Sequence, residues 1–372
     1  MNTRLLFTGG GTGGHVMPII AVARELKKLH AKDNLELHYI GPNDAFSLPL
    51  LGQEHFKIHT VASGKIRRYF SFKNITDAFI KMPLGFFQSL FLLAWIRPRL
   101  VFCKGGPGSA IVGFCAHILG IPIFLHESDV VPGLSNKIVS RWAKKIFVAF
   151  DHTEYFDVRK IMVVGNPVKR ELLTQNKEEA KKTLHIASAK PVLLFLGGSQ
   201  GSEAINDLIL SILNELVEYF EVIHVCGVHN YEKVAAEAKI ILNKNLGTYY
   251  HAYGYLGQME LTSAYAAADF IIARAGSGSI FEIAAVGKPS ILIPLPGSAG
   301  DHQSKNAYEY AKTGAAVVVE QNNLSPHFLM EKIKYILSSN EELEAIRHQA
   351  LQFAKPMAAE VIAREILAFL TK

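Results

Sequence analysis

The feature that most constrains the fold of this chain is a glycine-rich loop, GGGTGGH at residues 9–15, which follows an apolar run at residues 5–7. Glycine gives up more backbone entropy on ordering than any other residue, so five glycines within six positions add little stability. Such a loop is useful where a ligand must approach the backbone closely. A strand that ends in this loop and continues into a helix therefore predicts a ligand-binding α/β fold.

Apolar runs typical of buried strands alternate with amphipathic helical stretches along the chain, which predicts parallel sheets covered by helices on both faces. The predicted strands of the first half lie at residues 5–7, 35–40, 100–102, 121–125 and 145–149. After Gly165-Asn166-Pro167 the pattern starts again, with predicted strands at residues 191–196, 222–225, 248–251, 270–272, 290–293 and 316–319.

We therefore predict an α/β fold of two doubly wound Rossmann-like domains, at residues 1–166 and 167–355. A last helix, at residues 356–372, could pack back on the N-terminal domain. Ligands of such sheets bind beyond the carboxyl ends of the strands. Two domains that face each other across a cleft would place the site in that cleft.

Composition restricts the class of protein. Hydrophobic residues make up 49% of the 372 residues and charged residues 19%, which fits a globular protein and excludes a disordered one. Cys103, Cys115 and Cys226 are far apart and odd in number, so they form no disulfide framework or zinc-ligand spacing, and a reducing compartment is expected. The N-terminal residues lack a signal-peptide layout, which also predicts a cytoplasmic location.

Charge is unevenly distributed: residues 1–166 carry 20 Lys and Arg against 11 Asp and Glu, and the remainder carries 19 against 22. A basic N-terminal half predicts an anionic partner, which is nucleic acid, anionic lipid or a phosphorylated substrate. Between Lys65 and Lys104, eight basic residues and one acid alternate with aromatic side chains. Nucleic acid is the least favoured partner, because the segment has no RNA- or DNA-binding motif.

Within that segment, the thirteen residues 84–96 are almost continuously apolar. They are too few to span a bilayer, which needs about 20 residues. Two interpretations stay open. One is a buried helix packed on a sheet, and the other is a segment that lies on a membrane surface with basic residues at the lipid headgroups.

The first loop also matches the dinucleotide-binding pattern Gly9-x-Gly11-x-x-Gly14. The acid expected at the end of the second strand is missing, because Tyr39-Ile40-Gly41-Pro42 stands there, so a dehydrogenase is disfavoured. His15 lies where the helix begins, and the helix dipole favours the neutral imidazole that a general base needs. A histidine that only hydrogen-bonds the loop is the equal alternative.

The second half carries the most specific cluster, RAGSGSIFE at residues 274–282. Backbone N–H groups after a glycine turn, at a helix N-terminus, suit a pyrophosphate. Glu282 could accept hydrogen bonds from two ribose hydroxyls. Alternatively, Ser279-x-x-Glu282 is a helix capping box, which explains those two residues but not the glycines and serines together.

Further along, Pro294-Leu295-Pro296 precedes polar residues at one-turn spacing, among them Gln303 and Asn306. These two side chains share one helix face and could bind sugar hydroxyls, although an ordinary solvated helix start explains them as well. Arg170, next to Lys169, could reach a phosphate or form a surface basic pair.

Motifs in both halves carry a family resemblance over almost the whole chain. They are GGGTGGHVMPIIAVARELK at residues 9–27, HESDVVPGLSNKI at 126–138, GNPV at 165–168, GGSQGS at 197–202, RAGSGSIFEIAAVGKPSILIPLP at 274–296 and DHQSKNA at 301–307. The chain resembles the inverting glycosyltransferases of family 28, which have the two-Rossmann-domain GT-B architecture. The resemblance implies transfer of N-acetylglucosamine from UDP-N-acetylglucosamine to the 4-hydroxyl of lipid I, which makes lipid II for peptidoglycan.

The resemblance also implies roles for individual residues. His15 would be the base that deprotonates the attacking hydroxyl. The nucleotide sugar would be bound by Ser199, Tyr255, Gly276, Ser277, Glu282, Gln303 and Asn306. The lipid acceptor and its diphosphate would be bound by Thr12, Gly13, Gly14, Gly105, Gly106, Glu127, Asp129, Lys169 and Arg170.

No metal or other cofactor is expected, because the sequence has no metal-ligand cluster and this fold type needs none for its chemistry. The expected partners are UDP-N-acetylglucosamine, a polyprenyl-pyrophosphate-linked acceptor and an anionic membrane surface, and nucleic acid is not expected. By resemblance, residues 65–95 would be a membrane-contact patch. The protein would then be peripheral at the cytoplasmic face of the cell membrane.

Three departures from the family pattern concern the acceptor side or the hinge. The family usually has His-Glu-Gln-Asn where this chain has HESD at residues 126–129, and Gly-Gly-Tyr-Val-Ser-Gly where it has GGPGSA at residues 105–110. An arginine common after GNPV is Lys169, with Arg170 one place later. The donor assignment is therefore firmer than the identity of the acceptor.

Three rival functions are open. A related transferase for another lipid or sterol would keep the donor motifs and change the acceptor loops. A UDP-sugar 2-epimerase shares the architecture, but the GGTGGH loop argues against it. A non-catalytic subunit that binds nucleotide sugar at the membrane is disfavoured by His15 and the presence of both domains.

Overall fold

The computed structural model describes residues 3–30, 34–64, 77–151, 154–198 and 200–371. The chain divides into two compact units. The first unit comprises Met1–Val168 and Lys355–Lys372, and the second comprises Lys169–Ala354. Each unit contains one parallel sheet covered by helices on both faces.

The first unit is built on a seven-stranded parallel sheet. Its strands are β1 (Thr3–Thr8), β2 (Leu35–Gly41), β3 (Lys57–Thr60), β4 (Leu100–Cys103), β5 (Ile123–Glu127), β6 (Lys145–Val148) and β7 (Ile161–Val163). They lie in the order β3-β2-β1-β4-β5-β6-β7. The central strands are buried on both faces, which explains why the sequence shows them as continuous apolar runs.

The second unit is built on a six-stranded parallel sheet. Its strands are β8 (Val192–Leu196), β9 (Glu221–Val225), β10 (Tyr250–Tyr253), β11 (Phe270–Ala273), β12 (Ser290–Leu292) and β13 (Val317–Val318). Their order is β10-β9-β8-β11-β12-β13. In both sheets the strand order therefore reverses after the first strand, between β1 and β4 and between β8 and β11, and the prediction of two doubly wound α/β units is confirmed.

Helices cover the faces of both sheets. Those of the first unit include α1 (Gly13–Leu29), α2 (Ser47–Gln53), α3 (Met82–Ile96), α4 (Ser109–Ile118) and α5 (Leu134–Val139). Those of the second unit include α6 (Lys177–Thr183), α7 (Glu203–Ser211), α8 (Leu213–Tyr219), α9 (Tyr231–Ile241), α10 (Gln258–Ala267), α11 (Ser277–Val286), α12 (His302–Ala311), α13 (Pro326–Ser338) and α14 (Asn340–Phe353). The last helix, α15 (Ala358–Leu370), belongs to the first unit.

Alternation along β1 divides the core of the first unit into two layers. Leu5 and Phe7 face the cluster formed with α1 and α15, whereas Leu6 faces the cluster formed with α3 and α4. In α15, Ile362 and Ile366 are fully buried in the first cluster. The last helix thus packs beside α1, and its amphipathic pattern is what holds it there.

Helix α3 has a buried side and an exposed side. Gly85, Leu93 and Ile96 are buried, and a Cβ at Gly85 would lie 2.0 Å from the carbonyl oxygen of Ala62, so the helix packs closely on the unit. We call the opposite side the exposed face of α3. It is defined by four large apolar side chains of α3 and by Phe79 just before the helix, all 50–77% exposed, and the four are Leu84, Phe87, Phe91 and Trp95.

A π-helical turn, Asp77–Lys81, precedes α3 and lengthens the apolar helical stretch. Phe79–Ile96 has 18 residues and is long and apolar enough, by length and composition alone, to cross a membrane, which the count of thirteen residues did not anticipate. Pro83 lies in the first turn of α3, where proline is tolerated, so it does not mark the start of the apolar stretch. One side of the stretch lies in the core of the unit, and the exposed face of α3 does not.

Candidate functional site

The glycine loops of the first unit lie at the point where the order of its sheet reverses. β1 and β4 are neighbours there, and the loops that follow them are the ones ligands of such sheets approach. Gly10, Gly11 and Gly106 have φ values of 130°, 84° and 87°, which glycine adopts readily. A Cβ at Gly106 would lie 2.5 Å from the carbonyl oxygen of Gly10, so the two loops touch through backbone atoms.

His15 is the third residue of α1 and stands at the junction of these loops. Its Nδ1 lies 2.9 Å from Oγ1 of Thr12, the residue that precedes the helix in extended conformation. A Cβ at Gly106 would lie 3.2 Å from the same nitrogen. If Nδ1–H donates to Thr12, the basic nitrogen of the ring is Nε2.

The space beside the first loop is filled in a way that argues against a dinucleotide. The ring of Tyr39 is fully buried, and its hydroxyl donates a hydrogen bond to the carbonyl of Gly9. A Cβ at Gly10 would lie 2.5 Å from that hydroxyl oxygen. Tyr39 thus occupies the strand end at which a dinucleotide-binding unit would carry its ribose-binding acid.

Glu127 holds together the loop that follows β5. Its Oε1 accepts a hydrogen bond from the backbone N–H of Asp129 at 2.9 Å, and its Oε2 accepts from Nδ2 of Asn136 at 2.9 Å and the N–H of Gly133 at 3.2 Å. Burial and the Asp129 carboxylate raise the pKa of Glu127, and the Lys104 ammonium and these hydrogen bonds act against that rise. The side chain is buried with both oxygens engaged, which is a positioning role for the loop.

Lys104, one of the eight basic residues between Lys65 and Lys104, is buried directly after β4. Only 2% of it is exposed, and its ammonium donates to Oγ of Ser128, which donates in turn to Oδ1 of Asn166 at 3.2 Å. Burial lowers the pKa of Lys104, and the carboxylates of Glu127 and Asp129 raise it. A pattern of surface charge and aromatic residues cannot distinguish this inward-facing lysine from its neighbours.

In the second unit, the glycine loop after β8 occupies the equivalent position beside β11. Ser199, predicted to bind the donor, lies outside the described residues. Gly201 has a φ of 81°, and a Cβ there would lie 2.1 Å from the carbonyl oxygen of Cys226. Ser202 then caps α7, with its Oγ accepting from the N–H of Ile205.

Gly201→Ala is expected to destabilise the second unit by about 3 kcal/mol, because alanine must adopt a positive φ and its Cβ overlaps a backbone carbonyl. The corresponding fall in melting temperature is roughly 6–12 °C, measurable by thermal unfolding. Gly247→Ala is the matched control, since a Cβ there meets nothing within 4 Å. Equal melting temperatures for the two variants would contradict the packing of this loop.

Arg274 is a buried guanidinium that joins three segments of the second unit. Its Nη1 donates to the carbonyls of Ile293 and Pro294, both at 3.2 Å, and its Nη2 donates to Ser202 Oγ and Gln321 Oε1, both at 2.6 Å. All four acceptors are neutral. The motif that contains Arg274 predicts no role for this residue, although a charge directly after the apolar strand β11 is consistent with a buried, hydrogen-bonded guanidinium.

Helix α11 begins immediately after Gly276, and Ser277 is its first residue. The described residues provide no side-chain cap, so the first-turn N–H groups suit an anionic ligand. The capping-box interpretation is wrong, because Ser279 lies inside the helix. Glu282 instead accepts a hydrogen bond on Oε2 from the hydroxyl of Tyr265, at 2.9 Å.

Burial and two neighbouring side chains shift the pKa of Glu282 in opposite directions. Burial raises its pKa, while the Lys169 ammonium and the hydrogen bond from Tyr265 lower it. Lys169 opens the second unit, and Arg170 starts a 3₁₀ segment directly after it. Lys169, predicted on the acceptor side, thus acts electrostatically on a predicted donor residue.

The remaining predicted donor residues lie on other segments of the second unit. In α12, Oε1 of Gln303 accepts from the N–H of Leu295 at 3.0 Å, which ties the helix to the proline-flanked loop. Asn306, one turn later, is fully buried. Tyr255 follows β10 and is 58% exposed. Within the described ranges, no group of three His, Cys, Asp or Glu side chains is arranged to hold a metal ion.

Comparison with known proteins gives a consistent result in both halves of the chain. Residues 5–148 match the glycosyltransferase family 28 N-terminal domain, and residues 192–362 match the glycosyltransferase family 28 C-terminal domain. A curated relative from Clostridium kluyveri is 36% identical over 355 residues, which cover 94% of this chain and 96% of the relative. That relative is named UDP-N-acetylglucosamine–N-acetylmuramyl-(pentapeptide) pyrophosphoryl-undecaprenol N-acetylglucosamine transferase.

Solved structures agree on the fold. The crystal structure of MurG from Acinetobacter baumannii aligns over 99% of this chain and 100% of its own, with a TM-score of 0.74 and 24% identity. A UDP-GlcNAc 2-epimerase from Neisseria meningitidis, bound to UDP-GlcNAc, aligns over 99% of this chain and 100% of its own, with a TM-score of 0.69 and 13% identity. The fold alone therefore does not separate a transferase from an epimerase, and the sequence relationship does.

Proposed function

The chain belongs to glycosyltransferase family 28, and from that membership we propose that it transfers N-acetylglucosamine from UDP-N-acetylglucosamine to the 4-hydroxyl of lipid I, undecaprenyl-pyrophosphoryl-MurNAc-pentapeptide. The product is lipid II, used in peptidoglycan synthesis. The observation that carries the proposal is the 36% identity over 94% of the chain to a relative named for this reaction. The glycine loops at the reversal points of both sheets support it.

The second unit would bind the nucleotide sugar. The Glu282 carboxylate would accept hydrogen bonds from the ribose hydroxyls, and the first turn of α11 would face the diphosphate. The residues assigned to the diphosphate and the sugar are Ser199, Gly276, Ser277, Gln303 and Asn306, with Tyr255 at the uracil. The contact of Gln303 with Leu295 would place the proline-flanked loop beside the sugar.

The first unit would bind the lipid-linked acceptor. Its diphosphate would lie over Gly13, Gly14, Gly105 and Gly106, whose loops converge at His15. Glu127 would act by holding the loop that carries Asp129, as its hydrogen bonds indicate. Thr12 would orient the imidazole.

The reaction would be a single in-line displacement. The 4-hydroxyl oxygen of the acceptor attacks C1 of N-acetylglucosamine, the bond from C1 to the β-phosphate oxygen of UDP breaks, and the configuration at C1 inverts. Nε2 of His15 takes the proton of the hydroxyl. The diphosphate leaves as UDP, and its charge is stabilised by N–H groups at the start of α11.

A second candidate is transfer of the same sugar to another polyprenyl or lipid acceptor. It is favoured by the changed acceptor loops, in which Lys104 and Ser128 form a buried contact and Pro107 lies against Gly11. Incubation with UDP-N-acetylglucosamine and a soluble lipid I analogue separates the candidates. We expect mass spectrometry to show the analogue gaining one N-acetylhexosamine.

Transfer only to other polyprenyl phosphates would support the second candidate. Conversion of the nucleotide sugar to its 2-epimer without any acceptor would overturn both. All of these reactions use the same wild-type protein, so differences in folding between variants cannot affect the result.

We also propose that the enzyme is peripheral at the cytoplasmic face of the membrane, bound through the exposed face of α3. Its aromatic side chains would enter the headgroup region, and Lys81, Arg97 and Arg99, which are exposed near the two ends of the helix, would meet anionic lipid. The burial of Gly85 and Leu93 on the other side favours this surface position over a membrane span. The basic residues predicted to take part at positions 65–73 lie outside the described residues.

The double variant Phe87→Ser, Phe91→Ser is expected to lower the affinity for vesicles with anionic lipid by about tenfold. The reason is that two large aromatic side chains are no longer present to move from water into the headgroup region. Vesicle flotation measures this. Ile240→Ser, at an 85% exposed apolar side chain of the second unit, is the matched control and should bind as the wild type does. Equal binding to neutral and anionic vesicles would contradict the role of the basic residues.

A further inference from the structure

The hydrogen bond between the Tyr265 hydroxyl and Glu282 has no part in the proposed mechanism. Tyr265 lies on α10 and is 1% exposed, and its hydroxyl is 2.9 Å from Oε2 of Glu282 on α11. Burial and the Glu282 carboxylate raise the pKa of Tyr265 well above its usual value. The phenol therefore stays protonated at any pH at which the enzyme works and is a permanent donor to that carboxylate.

This hydrogen bond leaves most of the acceptor capacity of the Glu282 carboxylate available to a ligand. A carboxylate has about four lone-pair sites, and Tyr265 engages one of them on Oε2. Oε1 of Glu282 accepts no hydrogen bond from the described residues, and the side chain is only partly buried. The hydroxyl thus restrains the rotation of the carboxyl group about its last bond and leaves Oε1 to accept hydrogen bonds from a ligand.

We propose that Tyr265 is a positioning residue for ribose recognition, which orients Glu282 to accept hydrogen bonds from both the 2′- and 3′-hydroxyls of the nucleotide. The inference rests on the proposed function only in taking a uridine nucleotide as the ligand. It adds that selection of a ribonucleotide depends on a side chain that never touches the ligand. The hydrogen bond also favours the charged form of Glu282 and so opposes the rise in its pKa that burial causes.

The test compares UDP with 2′,3′-dideoxy-UDP by calorimetry. Tyr265→Phe removes the donor and keeps the buried ring, and we expect it to weaken UDP binding by about tenfold and dideoxy-UDP binding by less than about twofold. Tyr310→Phe is the matched control, because Tyr310 is fully buried in the same unit and its hydroxyl has no hydrogen-bond partner among the described residues. It should change neither affinity.

Two further measurements separate positioning from a structural effect. In a Glu282→Ala background, Tyr265→Phe should weaken UDP binding no further. With Glu282 present, it should shift the loss of uridine affinity at low pH to a higher pH, because loss of the hydrogen bond raises the pKa of the carboxyl group and uridine has no phosphate that titrates there.

Equal weakening of both ligands by Tyr265→Phe would overturn the inference and indicate a packing role. Unchanged affinity for UDP would overturn it as well. A wild-type protein that binds no UDP would instead overturn the proposed function. The two failures are therefore distinguishable in one experiment.

Discussion

His15→Ala is expected to lower kcat for sugar transfer by about 10²–10⁴-fold, the usual effect of removing a general base, with little change in the KM for UDP-N-acetylglucosamine. The expectation rests on geometry within the first unit. Nδ1 of His15 lies 2.9 Å from Thr12 Oγ1, and the loops that carry Gly10 and Gly106 touch beside the ring. Initial rates with a soluble lipid I analogue provide the measurement.

His30→Ala is the control, because His30 lies at the other end of the same helix. Thr12→Val should lower kcat by about tenfold, since it removes the partner of Nδ1, and Thr12→Ser should restore the rate. A His15→Ala enzyme that keeps more than a tenth of the wild-type kcat would rule out the imidazole as the base.

Glu282→Ala is expected to weaken UDP binding by about 10²–10³-fold, because two hydrogen bonds from ribose hydroxyls to a charged group are lost together. Calorimetry measures this directly, without any acceptor. Glu344→Ala, at an exposed acid on α14, should leave the affinity unchanged. A Glu282→Ala protein that binds UDP as tightly as the wild type would remove Glu282 from the donor site.

The pH dependence adds an independent readout for the same carboxylate. Burial raises the pKa of Glu282, so it takes up a proton at a higher pH than an exposed glutamate does. Uridine binding should therefore weaken as the pH falls through that raised pKa, and uridine has no phosphate whose titration would interfere. Glu282→Gln should bind uridine weakly at every pH and show no such limb.

The central strands could be predicted from sequence because burial on both faces makes them continuous apolar runs. The edge strands β3 and β7 could not be predicted in this way. Lys57–Thr60 and Ile161–Val163 are only three or four residues long and carry exposed positions, so they show no such run. Helix α15, by contrast, has a strong amphipathic pattern, and its observed bounds, Ala358–Leu370, lie within the segment predicted to be helical at residues 356–372.

The glycine loops of the candidate site could be located from sequence, because so many glycines in a short segment are unusual outside ligand-binding loops. Contacts between elements that lie far apart in the sequence could not be predicted. The pairing of Tyr265 with Glu282 joins two helices, and a local reading of Ser279-x-x-Glu282 predicts a cap that the structure lacks. The inward-facing positions of Arg274 and Lys104 could not be predicted either, since whether a cation faces inward depends on tertiary packing.

Sugar transfer to the 4-hydroxyl of lipid I can be tested with two acceptors that differ only in that hydroxyl. A soluble lipid I analogue and its 4-deoxy counterpart are incubated with UDP-N-acetylglucosamine, and the product linkage is determined by NMR. We expect a β-1,4-linked N-acetylglucosamine on the first analogue and no product on the second. Transfer to the 4-deoxy analogue, or an α-linked product, would contradict it.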